Sequence, residues 1–345
     1  MGRGSGQEET RMNAATIGGQ GWTWRVQQLL GSQFLVLVLC VLTSAAFSIA
    51  VPGFASLDNL GNILVASLPL LLLASGQTIV LISGGIDLSV TAIVGLSSIA
   101  GALVMSGDHG WLRGQSIAVP AAWLSMLATG AGVGVLNGAC IAWLRMPPFM
   151  VTLTTTMFFH GAAVWLAKRI ADAESIYNLP AAFLVMGRHP WIGIVLASFT
   201  VLVGHLLLGR TLLGRWIHAV GHNSRAAVVS GVPVAWVTMA AFVLSGLFAS
   251  LASALITVRL ETGSPAHGRA LLLDVIGAVV IGGTSLFGGK GRIPWTLQGV
   301  AFLALLGNGL NLMNLSDFAI TIVKGVVFLF AALLEVTRTR WLRAE

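Results

Sequence analysis

Ten long apolar runs constrain what this chain can fold into more than any other feature of its sequence. Each run is close to or above the roughly 20 residues that a helix needs to cross a bilayer. They lie at about 34–51, 62–83, 88–106, 117–144, 148–167, 190–208, 237–258, 271–288, 294–312 and 318–336. Only 9% of the residues are charged, against about 25% in an average soluble domain. The sequence therefore predicts an all-α integral membrane protein with about ten transmembrane helices, or as few as eight if the glycine-broken region 62–106 packs irregularly.

The ends of the apolar runs predict the orientation of the chain. Residues 1–31 are expected to form a cytoplasmic N-terminal tail, residues 32–337 a single transmembrane domain, and residues 338–345 a cytoplasmic C-terminal tail. With this orientation about two thirds of the 19 basic residues fall on the cytoplasmic side, as they do in most membrane proteins. The basic surplus therefore indicates orientation and not nucleic-acid binding. On the outer side, residues 168–189 predict a short amphipathic element and residues 259–270 a flexible loop.

No motif predicts catalysis, a metal site or a bound cofactor. The glycine-rich stretch at 282–291 resembles a phosphate-binding loop only in part. Gly289 stands before Lys290, and Gly291 occupies the place where that loop requires serine or threonine. Cys40 and Cys140 both lie inside apolar runs, where cysteine commonly behaves as a small hydrophobic residue. The sequence therefore predicts that the chain is not an enzyme.

Two ionisable residues within apolar runs need an explanation. Each costs about 2.5–3.5 kcal/mol to insert at the centre of a membrane helix, so such charges usually pair or line a polar route. Lys324 lies in the last run, seven residues after Asp317 and on the same helical face, while Asp274 lies in the run that begins at 271. We expect an intramembrane charge pair, Lys324 with Asp274 or with Asp317, that joins helices. The alternative is a polar element of a transport route.

Five further polar residues are candidates for a translocation path. Four of them are amides, which can bind the hydroxyl groups of a solute without the cost of a buried charge. The five are Gln77, Asp87, Asn137, Asn308 and Asn311. Asn308 and Asn311 are three residues apart and share a helical face. Each amide could equally form hydrogen bonds between helices. Asp87 follows a glycine pair at the start of a predicted helix, so capping of that helix explains it as well.

The cytoplasmic loop at about 209–236 predicts a short helix lying across the membrane surface. Asn223 or Ser224 can cap this helix and Gly231 can end it, with Pro233 just before the next apolar run. Gly221 and Gly231 are expected to act as flexible joints on either side. Such a helix could dock into a cleft of another protein, or it could be an ordinary amphipathic connector.

Several segments resemble the membrane permeases of ribose-, xylose- and galactose-type bacterial ATP-binding cassette (ABC) sugar importers. They are GQTIVLISGGIDLSV at 76–90, PPFMVTLTTTMFFHGAA at 147–163, DVIGAVVIGGTSLFGGKGRI at 274–293 and NGLNLMNLSDFAITIVKGVV at 308–327. The cytoplasmic loop matches the same family through an A-x-G-x-N-x-x-A-A-x-x-x-G-[IV] pattern. These segments occur in the family's order and extend over nearly the whole chain from about residue 33.

The resemblance implies a fold, a function and partners. It implies the ABC importer permease fold for residues 32–337, in the inner membrane of a bacterium, and transport of a monosaccharide. It implies that a separate cytoplasmic ATPase subunit binds the ATP, with a second permease copy or paralogue and a periplasmic sugar-binding protein. The matching pattern implies an ATPase-coupling helix at Ala219, Gly221, Asn223, Ala226, Ala227 and Gly231. We expect segments 168–189 and 259–270 to face the binding protein.

Two other functional classes fit the composition. A stand-alone secondary transporter of a small polar solute would use intramembrane carboxylates for ion coupling, and only Asp274 and Asp87 are available. A structural or assembly protein would have no polar central path. Sugar uptake by the reconstituted chain, alone and with its expected partners, separates the three classes.

Overall fold

The computed structural model describes residues 34–344, most of which are helical. Its thirteen α-helices within this range are α1 (Phe34–Ala50), α2 (Leu57–Ile82), α3 (Val90–Met105), α4 (Ala118–Ala142), α5 (Pro148–Ala171), α6 (Ala181–Arg188), α7 (Pro190–Arg210), α8 (Leu212–His222), α9 (Ser224–Val229), α10 (Val234–Leu260), α11 (Leu272–Ile281), α12 (Ile293–Leu312) and α13 (Asp317–Ala344). The N-terminal tail predicted at 1–31 lies outside the described residues. The helix α13 continues through most of the predicted C-terminal tail.

Six of these helices are long and apolar enough to cross a membrane: α2, α4, α5, α7, α10 and α12. The helices α1 and α3 are apolar but shorter, with 17 and 16 residues. The predicted run 271–288 contains a helix of only 10 residues, which spans about 15 Å, or half the hydrocarbon core. It ends at Ile281 because Gly283 takes a left-handed backbone conformation with φ of +93°. The described chain thus has the all-helical membrane fold with six clear spanning helices, and the predicted count of ten is not confirmed.

The core lies where α10 packs against α4, α2 and α3. Glycines at 130, 134 and 138 are four residues apart and form one face of α4. A Cβ atom at Gly130 would stand 2.2 Å from the carbonyl oxygen of Gly246 in α10, and one at Gly134 would stand 2.5 Å from that of Phe242. Because glycine has no side chain, the two helix backbones touch along this face. Close packing between the longest helices thus explains part of the high glycine content.

The predicted outer loop at 259–270 is not a free loop, and that prediction is wrong. Its middle is buried, with Ser264 and His267 each only 7% exposed. The backbone of Gly263 exchanges two hydrogen bonds with Ile176, at 2.8 and 2.9 Å, which joins it to the other outer segment. Ser264 then donates its backbone N–H to Ser98 Oγ of α3 at 3.2 Å. The segment therefore leaves the outer surface and packs down along α3.

Candidate functional site

The break between α2 and α3 holds a fully buried carboxylate. Asp87 accepts hydrogen bonds at Oδ1 from the backbone N–H and hydroxyl of Ser89, at 2.9 and 2.5 Å, and at Oδ2 from Ser245 Oγ at 2.9 Å. Ser89 directly precedes α3, so the carboxylate orders the turn before this helix. Its backbone donor is the N–H of Ser89, not one of the N–H groups of α3 that the capping interpretation requires. A buried charge needs such partners because a charge without them would be expensive in an apolar interior. Asp87 thus joins the helix break to α10.

Two of the predicted path residues surround this carboxylate. Asn137 Nδ2 donates to Ser89 Oγ at 2.8 Å from α4, and its Oδ1 is buried with no partner among the described residues. The amide of Gln77, oriented to suit its neighbours, donates to the Asp87 carbonyl at 2.9 Å and accepts from the Asp87 N–H at 3.2 Å. Gln77, Asp87 and Asn137 therefore form one buried polar cluster, contributed by α2, α4 and the break before α3.

The other two predicted path residues lie elsewhere. Asn308 pairs with Asn59 through two amide hydrogen bonds, at 2.9 and 3.0 Å, and this pair joins α12 to the first turn of α2. Asn311 is exposed near the end of α12. The expectation that all five residues line one path is therefore not met by this arrangement. Asn59, the partner of Asn308, is not among the residues predicted from the sequence, because it precedes the apolar run that begins at residue 62.

An ion pair joins α11 to α13. Lys324 Nζ lies 2.6 Å from Asp274 Oδ2, with side chains only 20% and 15% exposed. The lysine stem passes Gly307 of α12, with Cε 3.7 Å from the position that a Cβ there would occupy. Asp317, the other candidate partner, is exposed at the start of α13. The intramembrane pair is thus Asp274 with Lys324, at the junction of three helices.

Three glycine-rich segments meet at one end of the helical bundle. Gly289 donates its backbone N–H to the carbonyl of Ile82, the last residue of α2, at 2.8 Å. A Cβ at Gly221 of α8 would lie 1.8 Å from the same carbonyl oxygen. Gly84 and Gly288 adjoin this contact with φ of +86° and +84°. We name the contact of residues 82–84, 221 and 288–289 the glycine junction.

A cleft of about 560 Å³ opens beside the glycine junction. Its lining includes the turn Ser83–Gly85, the stretch Val220–Arg225 and the side chains of Thr238, Phe242 and Phe287. Phe242 also packs against Gly85, at 3.1 Å from the position of a Cβ there, so the cleft floor adjoins the helix break that carries Asp87. Movement of the stretch 220–225 would therefore act directly on the turn before α3.

The segment predicted for ATPase coupling forms the short helix α9, with the cap and the end that the sequence predicts. Asn223 caps α9, and its Oδ1 accepts the N–H groups of Arg225 and Ala226 at 3.1 Å each. Asn223 itself donates its N–H to the carbonyl of Ala219 at 3.1 Å. Gly231 ends the segment with φ of +78°. These features match the predicted cap and stop.

Two of the coupling residues face the protein itself. Ala227 is only 4% exposed, while Val228 and Val229 are 60% and 89% exposed. Gly221 is held in the glycine junction and is therefore a contact residue, not a flexible joint. The surface open to a partner is formed by Ala226, Val228 and Val229. The sequence pattern located the helix correctly but could not tell its inner face from its outer face.

Within residues 34–344 no group of three or more His, Cys, Asp or Glu side chains could hold a metal ion. Cys40 and Cys140 are free thiols.

Comparison with known proteins gives a consistent result. Residues 59–332 match the family model described as branched-chain amino acid transport system / permease component. The chain is 38% identical over 318 residues to the ribose import permease protein of Bacillus subtilis (strain 168), covering 90% of this chain and 93% of that protein. It is 33% identical over 331 residues to the ribose import permease protein of Escherichia coli (strain K12), covering 94% and 99%. It is 31% identical over 303 residues to the D-allose transport system permease protein of the same strain, covering 86% and 89%. No solved structure matches the chain.

Proposed function

This chain belongs to the family of branched-chain amino acid transport system / permease components, and we propose that it is the membrane-spanning permease subunit of an ABC importer that carries a monosaccharide. The observation that carries the proposal is the similarity to sugar permeases over about nine tenths of the chain. The family description names amino acids, but the relatives aligned over most of this chain are named for ribose and D-allose. A monosaccharide is therefore the solute class that we assign.

The proposal includes partners and a membrane orientation. The energy comes from a separate cytoplasmic ATPase subunit, with a second permease copy or a paralogue beside this chain and a periplasmic sugar-binding protein outside. We place the chain in the inner membrane with both termini in the cytoplasm. Support comes from the basic residues on one end of the bundle. They are Arg210 at the end of α7, Arg215 in α8, Arg225 in α9, and Lys290 and Arg292 just after the glycine junction.

Reconstitution tests the proposal directly. Uptake of radiolabelled ribose, allose and arabinose is measured in proteoliposomes that contain this chain alone, and then with its ATPase subunit and binding protein. We expect uptake only in the complete system with ATP. Transport by the chain alone on a proton or sodium gradient would instead make it a secondary transporter. Both candidate acids for such ion coupling are already engaged, Asp274 by Lys324 and Asp87 by three donors, which speaks against that result.

We assign the ATPase contact to α9. This helix is short, is capped at both ends, and presents Val228 and Val229 outward beside the cleft at the glycine junction. Apolar side chains so exposed outside the membrane usually mark a contact with another protein. We expect Val229→Asp to abolish co-purification of the ATPase with unchanged membrane yield. The control is Tyr177→Asp, which adds the same charge at an exposed position on the opposite side. Unchanged ATPase binding in Val229→Asp would move the contact elsewhere.

We assign the binding-protein contact to segment 168–189 alone, because the middle of the loop at 259–270, residues 263–265 and 267, is buried. The segment carries exposed charges, including Arg169, Arg188 and an ion pair of Lys168 with Glu174 at 4.0 Å. Exposed charges affect the rate of association more than the final affinity. Charge reversal at Arg169 and Arg188 should therefore weaken stimulation of ATP hydrolysis by the binding protein and make it more sensitive to salt. A fall in basal hydrolysis with unchanged stimulation would contradict the assignment.

A further inference from the structure

Arg269 is an exposed charge at mid-membrane depth. Its guanidinium contacts the imidazole of His160 on α5. His160 lies 12 residues after Pro148 and 11 before Ala171, the two ends of α5, so it marks the middle of that helix. The headgroups on either side are then about 15 Å away, beyond the reach of an arginine side chain. Arg269 therefore stands where lipid-facing charge is most costly.

No carboxylate neutralises this arginine among the described residues, whose two ion pairs are Lys168 with Glu174 and Lys324 with Asp274. The comparison with Lys324 is direct, because both cations lie at membrane depth. Lys324 is mostly buried and paired at 2.6 Å, whereas Arg269 is exposed and has only a histidine beside it. A charged side chain within a membrane faces the interior of a bundle or a water-filled cavity. The surface at Arg269 is therefore not a lipid surface.

The segment that carries Arg269 is fixed in place. After Gly263 it descends along α3, with a Cβ at Gly95 only 2.6 Å from the Pro265 carbonyl oxygen and one at Gly268 only 2.9 Å from the Val94 side chain. A buried cluster holds it there: Ser98 Oγ lies 2.7 Å from Thr257 Oγ1 and 3.1 Å from His267 Nδ1. These contacts fix the backbone of the segment beside α3 and leave the side chain of Arg269 exposed.

The face of α5 beside Arg269 is open. Gly161 is exposed, and a Cβ there would meet no atom within 4 Å. The helix α7 offers a contrast at the same depth, because Phe199 near its midpoint is 65% exposed and the neighbouring exposed positions Val195 and Leu202 are also apolar. Met157 and Trp165, one turn before and after Gly161 on α5, are exposed and apolar as well. The face of α5 therefore differs from that of α7 by the exposed charge of Arg269 beside His160, and it is this charge that does not fit lipid.

We propose that Arg269 and His160 line the aqueous route of the sugar at mid-membrane, on a face of α5 that turns away from lipid. This inference rests on the proposed function and names a binding site within it. The guanidinium supplies five N–H donors in a fixed plane, and an imidazole nitrogen can accept or donate. A neutral polyhydroxylated solute matches these groups, because its hydroxyl oxygens accept from the arginine and its hydroxyl protons reach the histidine. The site differs from the buried cluster at Asp87, whose carboxylate is already occupied by protein donors.

Thiol accessibility tests the exposure to water. Gly161→Cys and the matched control Phe199→Cys are made in a chain with Cys40 and Cys140 changed to alanine, and each is labelled from both sides with a membrane-impermeant maleimide. Because the thiolate is the reactive form and an apolar environment disfavours it, we expect labelling of Gly161→Cys to be at least about tenfold faster. Ribose supplied together with the binding protein should slow the labelling of Gly161→Cys and leave that of Phe199→Cys unchanged. Equal rates for the two variants would overturn the inference.

Transport by the complete system tests the role of the arginine. We expect Arg269→Gln to lower ribose uptake by about tenfold or more with unchanged membrane yield, since a charged hydrogen bond to the solute is lost. The control Arg113→Gln removes an exposed arginine from the outer surface and should leave uptake unchanged. Normal uptake in Arg269→Gln would overturn the inference. Absence of uptake of ribose, allose and arabinose by the unmodified system would refute the proposed function instead, and the labelling result would stand separately.

Discussion

Replacing Lys324 with methionine should be among the most damaging single changes to the membrane domain. The substitution keeps the length of the side chain but removes the cation 2.6 Å from Asp274 Oδ2. The carboxylate is then left without its partner in a site where its side chain is only 15% exposed. Breaking a fully buried pair costs about 3–5 kcal/mol, and the residual exposure lowers this, so we expect a loss of about 2–4 kcal/mol.

The reverse change should cost less. In Asp274→Asn the remaining lysine has a long flexible stem and lies seven residues after the start of α13, roughly 10 Å along the helix. It can therefore bend toward the membrane surface and keep its charge hydrated, which the short aspartate cannot do. We expect Asp274→Asn to destabilise the protein by about 1–2 kcal/mol, clearly less than Lys324→Met.

The double variant distinguishes a pair from two independent residues. With both charges removed no unpaired ion remains, so we expect a coupling energy of at least about 1 kcal/mol. The free energy of unfolding is measured in mixed micelles by titration with a denaturing detergent. The matched control combines Asp317→Asn with Lys324→Met, because Asp317 is the exposed acid on the same helix, and these two effects should add. Coupling at Asp317 but not at Asp274 would refute the pairing.

Three further changes test other parts of the structure by folded yield and unfolding in the same micelles. Gly221→Ala should destabilise the protein by about 3 kcal/mol, because a Cβ has no room in the glycine junction. In the control Gly209→Ala the new Cβ meets no atom within 4 Å, so this change should be neutral or slightly stabilising. Equal effects of the two changes would contradict the close contact at Gly221. Asn59→Leu or Asn308→Leu alone should cost about 1–2 kcal/mol, and the double change less than their sum; strict additivity would exclude the pair. Asp87→Ala removes the acceptor of three hydrogen bonds and should cost about 3 kcal/mol or more; a stable variant would show that the helix break does not depend on it.

The sequence was most informative where an energetic cost forced a partner. An acid and a lysine in apolar helices had to pair or line a polar route, and Lys324 does have a carboxylate beside it. The sequence could not choose between Asp274 and Asp317, because helical periodicity places Asp317 on the same face but says nothing about which helix packs there. Only the contact of α11 with α13 decides between them.

Composition was least informative where tertiary contacts override it. Segment 259–270 has the glycine, proline and charge content of a surface loop, yet Ser98, Thr257 and Ile176 supply it with hydrogen bonds inside the protein. Likewise, Gly221 had the features of a flexible joint but serves as a close contact. In both cases the deciding atoms come from segments far away in the chain, which no local pattern reveals.

The glycine junction also has a consequence for the order of synthesis. Ile82 and Gly289 share a backbone hydrogen bond but are separated by 207 residues of chain (289 − 82). At about 5–20 residues per second, the ribosome needs roughly 10–40 s to deliver the second partner after the first. By the end of that time both α2 and α8 are in the nascent chain, and until then the carbonyl of Ile82 lacks its amide partner. The end of the bundle that carries the glycine junction is therefore completed late, and a chain released before residue 289 would contain its early helices without this contact.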